Sequence, residues 1–570
     1  MHGFHFPQSK LSFWGLAFLL FSLAPAFFAQ AQVLDQSGKT KASKPSFARP
    51  KLVVGIVVDQ MSYNFLIKFA DYYGNDGFKK LANSGFNFRQ AYYNYAPTVT
   101  GPGHASIYTG STPAYHGIAG NYWFVGGKKK QVYCTEDSTT YGVGTADQET
   151  GKMSPRNLLS STIGDELRAN VGGRSKVIGI ALKDRGAILP AGRSASAAYW
   201  FDSEAGNWVT SSYYPGNLPA WVQAFNNQKL ADEYKKSIWT PTIQIEKATR
   251  EVLGRPDTSR FEGEIYRGAG TSLPLNLALA NRPNYESVLR SPYGNQLTTD
   301  FALECLKAEN LGLQAVPDML CISYSSTDYV GHSSGPSSVE CMDTYVKLDA
   351  EIARLLQAIE KQVGKGNTLF FLTADHGITE NVGLAQSFRM PAGRYSNADL
   401  SRYLKQQCLS VGWDTNLIAN VMGHHAYQVY LNQERLQNFY PNIDAAEQRI
   451  AFWCKQFPAF ANAYTYRDLQ TAAAHDPFAK MLLLGANPKR SGHIFLLPHI
   501  GTMEGGDKGT AHGVPYSPDA HVPLLFYGWG IAVGYSTEKV NITDIAPTIC
   551  NLLNIAMPSG NIGRVILSGK

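Results

Sequence analysis

The sequence predicts an α/β fold, namely a three-layer α/β/α sandwich with a mostly parallel central sheet and inserted cap segments. Three observations support this prediction: continuous β-branched runs recur along the chain, a helical pattern lies between two of them, and polar residues follow four of them. Continuous apolar runs are typical of strands whose two faces are both covered. Strands that alternate with helices indicate a doubly wound sheet.

Five runs are predicted to be strands, at 51–58, 176–182, 319–325, 368–374 and 522–528. A helix is predicted between the third and the fourth strand, because four apolar residues recur there on one helical face, namely Leu348, Ile352, Leu355 and Ile359. The polar residues after the strands are Asp59, Lys183, Asp328 and Asp375. In open α/β sheets the functional site borders the carboxyl ends of the strands, which makes these residues candidates for chemistry.

Two long stretches fit the sheet pattern poorly, namely 190–300, which is rich in Trp, Tyr, Asn and Pro, and 380–490, which mixes loops with short helices. We interpret both stretches as insertions that form a cap over the site. They interrupt one large domain at 50–570. A polar leader at 32–49 precedes this domain and is expected to be mobile.

The first residues, 1–31, are typical of a secretory signal peptide. Lys10 supplies the positive flank, the apolar run 11–28 follows, and 29–31 provide the small-x-small pattern at which such peptides are cleaved. The alternative is a transmembrane anchor, but Pro25 and the cleavage pattern favour removal. No later stretch is apolar over the length of a bilayer, so we expect a soluble mature protein without a stable membrane anchor, periplasmic or secreted.

The charge balance argues against a nucleic-acid partner. The 570-residue chain has a formal net charge of +6, 17% of its residues are charged, and no cluster of Lys and Arg forms a basic stripe. Its seven cysteines include no C-x-x-C pair, which excludes a zinc ribbon and a thioredoxin-like motif. Because the number of cysteines is odd, at least one of them is unpaired within the chain.

Six side chains, most of them near predicted strand ends, are candidate metal ligands. They are Asp59, Asp328, His332, Asp375, His376 and His512. Carboxylate oxygens with imidazole nitrogens suit Zn²⁺, with Mn²⁺ or iron as alternatives, and six ligands suffice for two sites of three ligands each. Each residue alone fits an ordinary polar loop position, whereas their combination favours a metal centre. The Asp375–His376 pair needs a sharp turn, which Gly377 would allow.

Thr100 opens the segment Thr-Gly-Pro-Gly-His and is the candidate nucleophile. Pro is favoured in the first turn of a helix, and the free N–H groups there attract anions. A plain helix cap is the alternative interpretation. A threonine hydroxyl alone is a poor nucleophile, so we expect coordination to a metal ion to lower its pKa. His104 and His116 are interpreted as structural residues.

Lys183 and Arg185 follow a predicted strand, and an extended backbone would point both side chains the same way. A guanidinium fork and an ammonium group suit the oxygens of a dianionic phosphoryl group. A solvated surface pair is the alternative for these two residues in isolation. Asn121 is a candidate donor of a further amide hydrogen bond to the same group.

These residues fall in segments that resemble the alkaline phosphatase superfamily in order and spacing. The segments are VVDQM, PTVTGPGH, STDYVGHSSGP, TADHG and GTAHG followed by VPLLFYG, and NITDIAPTICNLLNI is similar to the closing helix of that family. The resemblance runs from about Lys51 to the C-terminus, with gaps at the two insertions. Within the superfamily, Asn121, Lys183 and Arg185 make the chain similar to the secreted phosphate-irrepressible alkaline phosphatases of the PafA type.

The resemblance implies a site with two Zn²⁺ ions. One zinc would be held by Asp328, His332 and His512. The other would be held by Asp59, Asp375 and His376 and would contact the Thr100 oxygen. The phosphoryl oxygens would be held by Asn121, Lys183 and Arg185. The nucleophile is Thr rather than the Ser of the best-known branch, and the absence of a C-x-P-x-R motif argues against a sulfatase.

We therefore expect a phosphate monoester hydrolase that acts on small-molecule monoesters through a phosphothreonine intermediate, as a monomer. Two cations beside the metal ions favour a phosphate with two charges over a diester with one. The alternative in the same superfamily is a nucleotide pyrophosphatase/phosphodiesterase, which would present an apolar or open pocket in place of Lys183 and Arg185. Export argues against a phosphomutase, and the full ligand set argues against an adhesion protein with a dead site.

Overall fold

A computed structural model describes residues 49–125, 131–255, 257, 260–280, 284–423 and 426–567. The predicted signal peptide at 1–31 and the predicted leader, apart from its last residue, lie outside the described residues. The described chain from Pro50 onwards forms one compact unit. No helix in the described ranges has the length and apolar character that a membrane span requires.

Strands occur along the whole of the described chain. In chain order they are β1 (Leu52–Val58), β2 (Phe86–Tyr92), β3 (Tyr122–Phe124), β4 (Gln131–Tyr133), β5 (Gly142–Val143), β6 (Val177–Ala181), β7 (Ala197–Asp202), β8 (Asn207–Ser211), β9 (Ile238–Trp239), β10 (Leu275–Asn276), β11 (Asp318–Tyr324), β12 (Thr368–Thr373), β13 (Gly393–Tyr395), β14 (Ile418–Met422), β15 (Gln428–Leu431), β16 (Phe460–Thr465), β17 (Ile494–Pro498), β18 (Thr502–Glu504), β19 (His521–Val522), β20 (Leu524–Gly528) and β21 (Gly534–Asn541).

Helices alternate with these strands. In chain order they are α1 (Phe65–Lys68), α2 (Phe78–Ser84), α3 (Thr100–Thr109), α4 (Pro113–His116), α5 (Ile163–Asn170), α6 (Asp184–Ala191), α7 (Ala220–Asn227), α8 (Leu230–Lys235), α9 (Ile245–Ala248), α10 (Glu286–Leu289), α11 (Pro292–Ala308), α12 (Ser326–Ser334), α13 (Val339–Val363), α14 (Val382–Ser387), α15 (Asn397–Ser410), α16 (Gln433–Phe439), α17 (Ile443–Gln456), α18 (Tyr466–Ala472), α19 (Pro477–Gly485), α20 (Ser517–Ala520) and α21 (Ile545–Leu553). Short 3₁₀ segments and one π-helical turn (Thr249–Leu253) lie between them.

The main sheet has a parallel centre and antiparallel edges. Its strands follow the order β19-β2-β20-β12-β1-β11-β6-β7-β8-β5, with β21 also paired to β2. The five central strands from β12 to β7 run parallel, whereas β20 is antiparallel to β12 and β8 is antiparallel to β7. Because parallel neighbours end at the same edge of a sheet, the residues that follow β12, β1, β11 and β6 meet there.

The central strand β1 shows why the sheet needs layers on both sides. All seven of its residues are buried although successive side chains point to opposite faces. The helices accordingly pack in two groups, α3 with α6 and α21, and α11 with α12 and α13. The predicted three-layer α/β class with a parallel centre is confirmed, and the predicted helix that carries Leu348 is part of α13.

The predicted insertion at 190–300 overlaps the main sheet. Its first part contains β7 and β8, which extend the sheet beyond β6. The sequence of β7 is Ala-Ala-Tyr-Trp-Phe-Asp, in which aromatic residues replace the β-branched run used to predict the other strands. Aromatic residues have a high preference for strands as well, so composition alone did not separate this strand from a cap.

The stretch 380–490 contributes to a separate small sheet. Strands β14, β15, β17 and β16 pair in that order and are antiparallel. Together with α15, α17 and neighbouring segments they enclose a hydrophobic cluster of their own, which includes Leu404, Leu431 and Ile450. Whether this part covers the site, as the cap interpretation holds, stays a prediction.

The seven cysteines are all buried, and all have free thiols. They are Cys134, Cys305, Cys321, Cys341, Cys408, Cys454 and Cys550. The described fold therefore contains no disulfide among them, and its hydrophobic core holds it together without covalent links.

Glu340 is a buried carboxyl group at the start of α13, away from the residues predicted to bind metal. Its side chain is fully buried, and neither carboxylate oxygen makes a hydrogen bond with the described residues. Burial, and next the nearby Glu262, raise the pKa of Glu340 well above its ordinary value. Since the folded state holds the proton more tightly, this group destabilises the fold increasingly as the pH rises above the ordinary carboxyl pKa.

We expect Glu340→Gln to raise the free energy of unfolding by about 1–3 kcal/mol at pH 9, because it removes a buried carboxyl group whose ionised form the folded state disfavours. The gain should shrink towards pH 4, where Glu340 is protonated in both the folded and the unfolded state. Urea unfolding at the two pH values measures the difference. Glu538→Gln, at an exposed position of β21, is the control and should change stability little at either pH. A gain that is the same at pH 4 and pH 9 would contradict this account.

Candidate active site

The four strand-end residues predicted from the sequence meet at one edge of the main sheet. Asp59 directly follows β1, Lys183 follows β6, Asp375 follows β12, and Asp328 lies in the first turn of α12 after β11. These four strands are parallel neighbours. All four side chains are buried, with at most 5% of any of these residues exposed.

Lys183 links two of the carboxylates. Its Nζ donates to Asp59 Oδ2 at 2.7 Å and to Asp328 Oδ2 at 2.6 Å. Burial alone would lower the pKa of Lys183, but Asp328 and Asp59 outweigh it and hold the pKa above the ordinary value. The two carboxylates therefore favour the charged form of Lys183, which lies within reach of both groups of predicted metal ligands.

Three imidazoles surround the carboxylates. His332 Nε2 lies 3.1 Å and His512 Nε2 lies 3.6 Å from Asp328 Oδ1, while the rings of His376 and His512 stack with their centroids 3.5 Å apart. Each Nδ1 is hydrogen-bonded to a backbone carbonyl oxygen, at Thr510, Thr98 and Gly377 respectively for His332, His512 and His376. In a neutral imidazole, an Nδ1 that donates to a carbonyl leaves Nε2 unprotonated, and this is the form that ligates metals.

Three ligand atoms in this centre have no hydrogen-bond partner among the described residues. They are Asp59 Oδ1, Asp375 Oδ2 and His376 Nε2. They face one another, because His376 Nε2 lies 3.4 Å from Asp59 Oδ1 and 3.6 Å from Asp375 Oδ2. Buried polar atoms are normally paired, and two carboxylate oxygens with one imidazole nitrogen match the donors that zinc prefers. The residues present therefore fit a bound metal ion.

The ligand atoms form two overlapping groups in which all atoms lie within 4.8 Å of one another. One group is Asp328, His332 and His512, and the other is Asp59, Asp328 and His376. The first matches the predicted trio. In the second, Asp328 stands where Asp375 was predicted, although Asp375 also reaches His376. Asp328 thus lies between the two groups.

The carboxylates differ in their electrostatic surroundings. Burial, and next the negative charge of Asp375, raise the pKa of Asp59 well above its ordinary value. Burial acts in the same direction on Asp328, but His332 and Lys183 outweigh it, and the pKa of Asp328 lies well below the ordinary value. Two carboxylates bond one ammonium group, and Asp375 adds a further negative charge beside Asp59. This excess of negative charge favours the binding of further positive charge, which divalent ions would supply.

Thr100 is the first residue of α3 and is 2% exposed. The helix begins beside Asp375 because Gly103 permits it: a Cβ there would lie 2.3 Å from the Asp375 backbone oxygen. His104, one turn after Thr100, donates its Nδ1–H to the Thr100 carbonyl oxygen at 2.9 Å, and the same Nδ1 lies 3.3 Å from Asp375 Oδ2. His104 therefore contacts both the residue that carries the candidate nucleophile and a predicted metal ligand, whereas His116 bonds Ser106.

Asn121 bonds the residue after Thr100, and Arg185 lies in the first turn of α6. Asn121 Oδ1 accepts a hydrogen bond from the Gly101 backbone N–H at 2.7 Å, which leaves the amide nitrogen to donate. Arg185 Nη1 donates to the Tyr133 hydroxyl at 3.0 Å. The prediction that an extended backbone carries both Lys183 and Arg185 is wrong, because Lys183 directly precedes α6 and Arg185 lies in its first turn.

Two residues of the site carried no signal strong enough to be singled out from the sequence. Gln60 has a left-handed backbone conformation, with φ +67°, which is rare for a residue other than glycine. Its side-chain nitrogen donates to Asp328 Oδ1 at 2.7 Å, and its backbone N–H donates to Asp375 Oδ1 at 3.1 Å. Tyr329, next to Asp328, presents its ring 4.8 Å from Lys183 Nζ. Their proximity to candidate ligands in the sequence was the available clue.

Gly377 serves a different purpose from the one that the sequence suggested. Its backbone does not adopt the left-handed conformation of a tight glycine turn. A Cβ at this position would instead lie 2.1 Å from the Pro518 carbonyl oxygen, so the absence of a side chain allows the segment before β19 to pack closely. Backbone bonds from Gly377 N to Asp519 O and from Ile378 N to Pro518 O fix this contact beside His376.

Comparison with known proteins finds relatives that align with almost the whole chain. The family model of type I phosphodiesterase / nucleotide pyrophosphatase matches residues 53–514. Alkaline phosphatase PafA of Elizabethkingia meningoseptica is 38% identical over 540 residues, which cover 94% of this chain and 97% of that one. Alkaline phosphatase PhoV of Synechococcus elongatus is 38% identical over 555 residues, covering 96% and 98%. A Myroides odoratus protein named a calcium-transporting ATPase is 39% identical over 525 residues, covering 91% and 94%.

The fold agrees with these relatives. The crystal structure of wild-type PafA superposes with a TM-score of 0.87 at 38% sequence identity, over 91% of this chain and 98% of that one. The segments that resemble the alkaline phosphatase superfamily in sequence therefore belong to a fold that matches the PafA fold. The chain belongs to the type I phosphodiesterase / nucleotide pyrophosphatase family within the alkaline phosphatase superfamily.

Proposed function

We propose that this protein is an alkaline phosphatase, a hydrolase that cleaves phosphate monoesters through a phosphothreonine on Thr100. The observation that carries the proposal is the buried Lys183 ammonium group, which lies within 2.7 Å of one carboxylate from each predicted ligand trio. A positive charge at this position suits a phosphate with two negative oxygens. The relatives named alkaline phosphatases, which are 38% identical over nearly the whole chain, support the same activity.

Two divalent ions, proposed to be Zn²⁺, belong to this function. Asp328, His332 and His512 would hold one ion, and Asp59, Asp375 and His376 would hold the other, with Asp328 near both. When bound, such ions lower the pKa of oxygen nucleophiles and neutralise negative charge that develops on the ester. Gln60 orients Asp328 and Asp375 through a hydrogen bond to each of them, and His104 Nδ1 lies 3.3 Å from Asp375 Oδ2.

In the first step, Thr100 Oγ1 gives its proton to solvent water and attacks phosphorus in line with the ester oxygen. The new bond joins Thr100 Oγ1 to phosphorus, the bond between phosphorus and the ester oxygen breaks, and the departing alkoxide takes a proton from water. In the second step, water attacks the phosphothreonine from the side that the alcohol has left. This step restores the Thr100 hydroxyl and releases inorganic phosphate.

Chain residues around Thr100 fix the phosphoryl group for both steps. Asn121 is oriented by the Gly101 N–H, so that its amide nitrogen is available for a phosphoryl oxygen. Lys183 and Arg185 supply the positive charge that a dianion requires, and Arg185 adds a planar fork of donors. Because little covalent chemistry is needed, catalysis in such transfers comes mainly from positioning and charge.

A phosphodiesterase is the second candidate, because the matching family model is named for phosphodiesterases and nucleotide pyrophosphatases. A diester carries one negative charge on its non-bridging oxygens and has a second alkyl group. The two cations at Lys183 and Arg185 would then lie where a diester needs space rather than charge. The monoesterase is therefore the stronger proposal. Export of the enzyme and its action as a monomer are part of the same proposal.

Removal of the metal ions tests the proposal. We expect the purified enzyme to release phosphate from an aryl monophosphate, to lose this activity after prolonged chelation, and to regain it when Zn²⁺ is added back. Elemental analysis of the active sample should give about two zinc ions per chain. Turnover of an aryl diester by the same sample measures the preference for monoesters. Full monoesterase activity in a sample from which all metal has been removed would reject the metal centre, and a preference for the diester would favour the second candidate.

A further inference from the structure

The guanidinium group of Arg185 is held by a tyrosine that no motif of the sequence singled out. Arg185 Nη1 donates to the Tyr133 hydroxyl at 3.0 Å, and the same hydroxyl lies 2.5 Å from Asp184 Oδ1. The other oxygen of Asp184 accepts from Thr135 Oγ1 at 3.3 Å. Asp184, Tyr133 and Arg185 therefore form a chain of hydrogen bonds that ends at a proposed phosphoryl-binding side chain.

The chemistry of the three groups fixes the direction of each bond. A carboxylate only accepts and a guanidinium only donates, so the single hydroxyl proton of Tyr133 must go to Asp184. One lone pair of the hydroxyl oxygen then remains for Arg185. Desolvation holds the pKa of Tyr133 well above its ordinary value, with Arg185 opposing and Asp184 reinforcing the shift, so the hydroxyl keeps its proton at alkaline pH. A phenylalanine ring would fill the same space but make neither bond.

Tyr133 also lies on the structural element that carries Asn121. Strands β3 and β4 pair with Tyr122 opposite Tyr133, and the rings of these two residues pack with centroids 4.9 Å apart. The next residue, Cys134, donates its backbone N–H to the Asn121 carbonyl oxygen at 3.0 Å. The pair of strands thus sets the distance between Arg185 and Asn121, and Asn121 in turn bonds the residue after Thr100.

Arg185 depends on this support because it has few other partners. Its Nε is buried and makes no hydrogen bond with the described residues. An arginine side chain has several rotatable bonds, and the geometry of its fork matters for two oxygens at once. A dianionic substrate that is bound by both Lys183 and Arg185 would therefore lose its contact with Arg185 if the guanidinium group were free to rotate.

We propose that Tyr133 is a positioning residue that gives the site its preference for phosphate dianions by holding the Arg185 fork on the phosphoryl group. The proposal rests on the proposed function of the site and deepens it, since it names the dianionic monoester as the substrate class that this fork selects. Tyr133 acts through Arg185 and touches no reacting atom.

Tyr133→Phe tests the proposal. We expect kcat/KM for an aryl phosphate monoester to fall about tenfold, the change that loss of one hydrogen bond to a charged group brings. The value for an aryl diester should stay within about twofold. In an Arg185→Ala background the same substitution should have no further effect on the monoester, because the residue through which it acts is gone. Metal content and the unfolding midpoint are measured on every variant.

Tyr73→Phe is the matched control, since it removes a buried hydroxyl that bonds the Phe65 carbonyl oxygen at 3.0 Å, far from Arg185. It should leave both kcat/KM values unchanged. Asp184→Asn weakens the hydrogen bond that the Tyr133 hydroxyl donates to residue 184. It should cause a smaller loss that is also selective for the monoester, and it tests the proposal even if Tyr133→Phe folds poorly. Equal losses on monoester and diester, or a full additional loss in the Arg185→Ala background, would overturn the positioning role. Failure of the proposed function would instead appear in the unsubstituted enzyme, as absence of monoester turnover.

Discussion

Thr100→Ala is expected to lower monoesterase turnover by about 10⁴-fold or more, because the oxygen that forms the covalent intermediate is removed while the rest of the centre remains. Thr100 lies at the start of α3 and its side chain lies among buried residues, so the smaller alanine leaves the helix and the predicted ligands in place. Steady-state rates with an aryl monophosphate measure the loss. Acid quenching during turnover should trap phosphate on the unsubstituted enzyme and none on the variant.

Two variants sharpen this experiment. Thr109→Ala removes a buried threonine hydroxyl from the same helix, where it bonds the Ala105 carbonyl oxygen at 2.7 Å, and should keep its activity. Thr100→Ser keeps a hydroxyl at the critical position and should retain measurable turnover. Undiminished activity of Thr100→Ala with normal metal content would show that another group attacks phosphorus.

The second large effect is expected from Lys183→Ala combined with Arg185→Ala. We expect kcat/KM for a monoester to fall by about 10²- to 10⁴-fold, since hydrogen bonds between charged groups contribute about 1.5–3 kcal/mol each. A diester, which has one negative charge fewer, should lose much less. Parallel assays of an aryl monoester and an aryl diester on the same preparation measure the difference.

Lys183 also bonds Asp59 and Asp328, so this variant needs a check on the metal centre. Elemental analysis separates loss of metal from loss of phosphoryl binding. The double variant Lys236→Ala and Arg402→Ala removes the same charges from exposed positions and should leave both activities unchanged. If the two esters lost the same factor while metal content stayed normal, Lys183 and Arg185 would not determine the substrate class.

Much of the fold was predictable because the central strands carry a simple signal. Strands β1, β6, β11 and β12 are buried on both faces, so their residues form continuous apolar runs that stand out in the sequence. The strands nearer the edges are less uniform. The aromatic strand β7 was assigned to an insertion, and the predicted strand at 522–528 is divided by Pro523 into β19 and β20.

The site was predictable to the extent that its chemistry follows the strand ends. The structure brings Asp59, Asp328 and Asp375 together with His332, His376 and His512. The positions of Asp59, Asp328, Asp375 and His376 after parallel strands suggested this for four of the six. Residues that contact a candidate ligand or Arg185 without being candidates themselves were not predicted. Gln60 reaches Asp328 across 268 positions of sequence, and Tyr133 reaches Arg185 across 52, so their roles arise from tertiary packing rather than from spacing. No local sequence pattern predicts such a contact.

The seven buried thiols affect how the protein can be made and where it can work. With no covalent cross-link among them, the stability of the fold does not depend on the redox potential of its surroundings. The same chain should reach its native state in a reducing cytosol and in an oxidising extracellular medium, without help from disulfide isomerases. Because all seven sulfur atoms are buried, we expect them to be protected from oxidants in either environment.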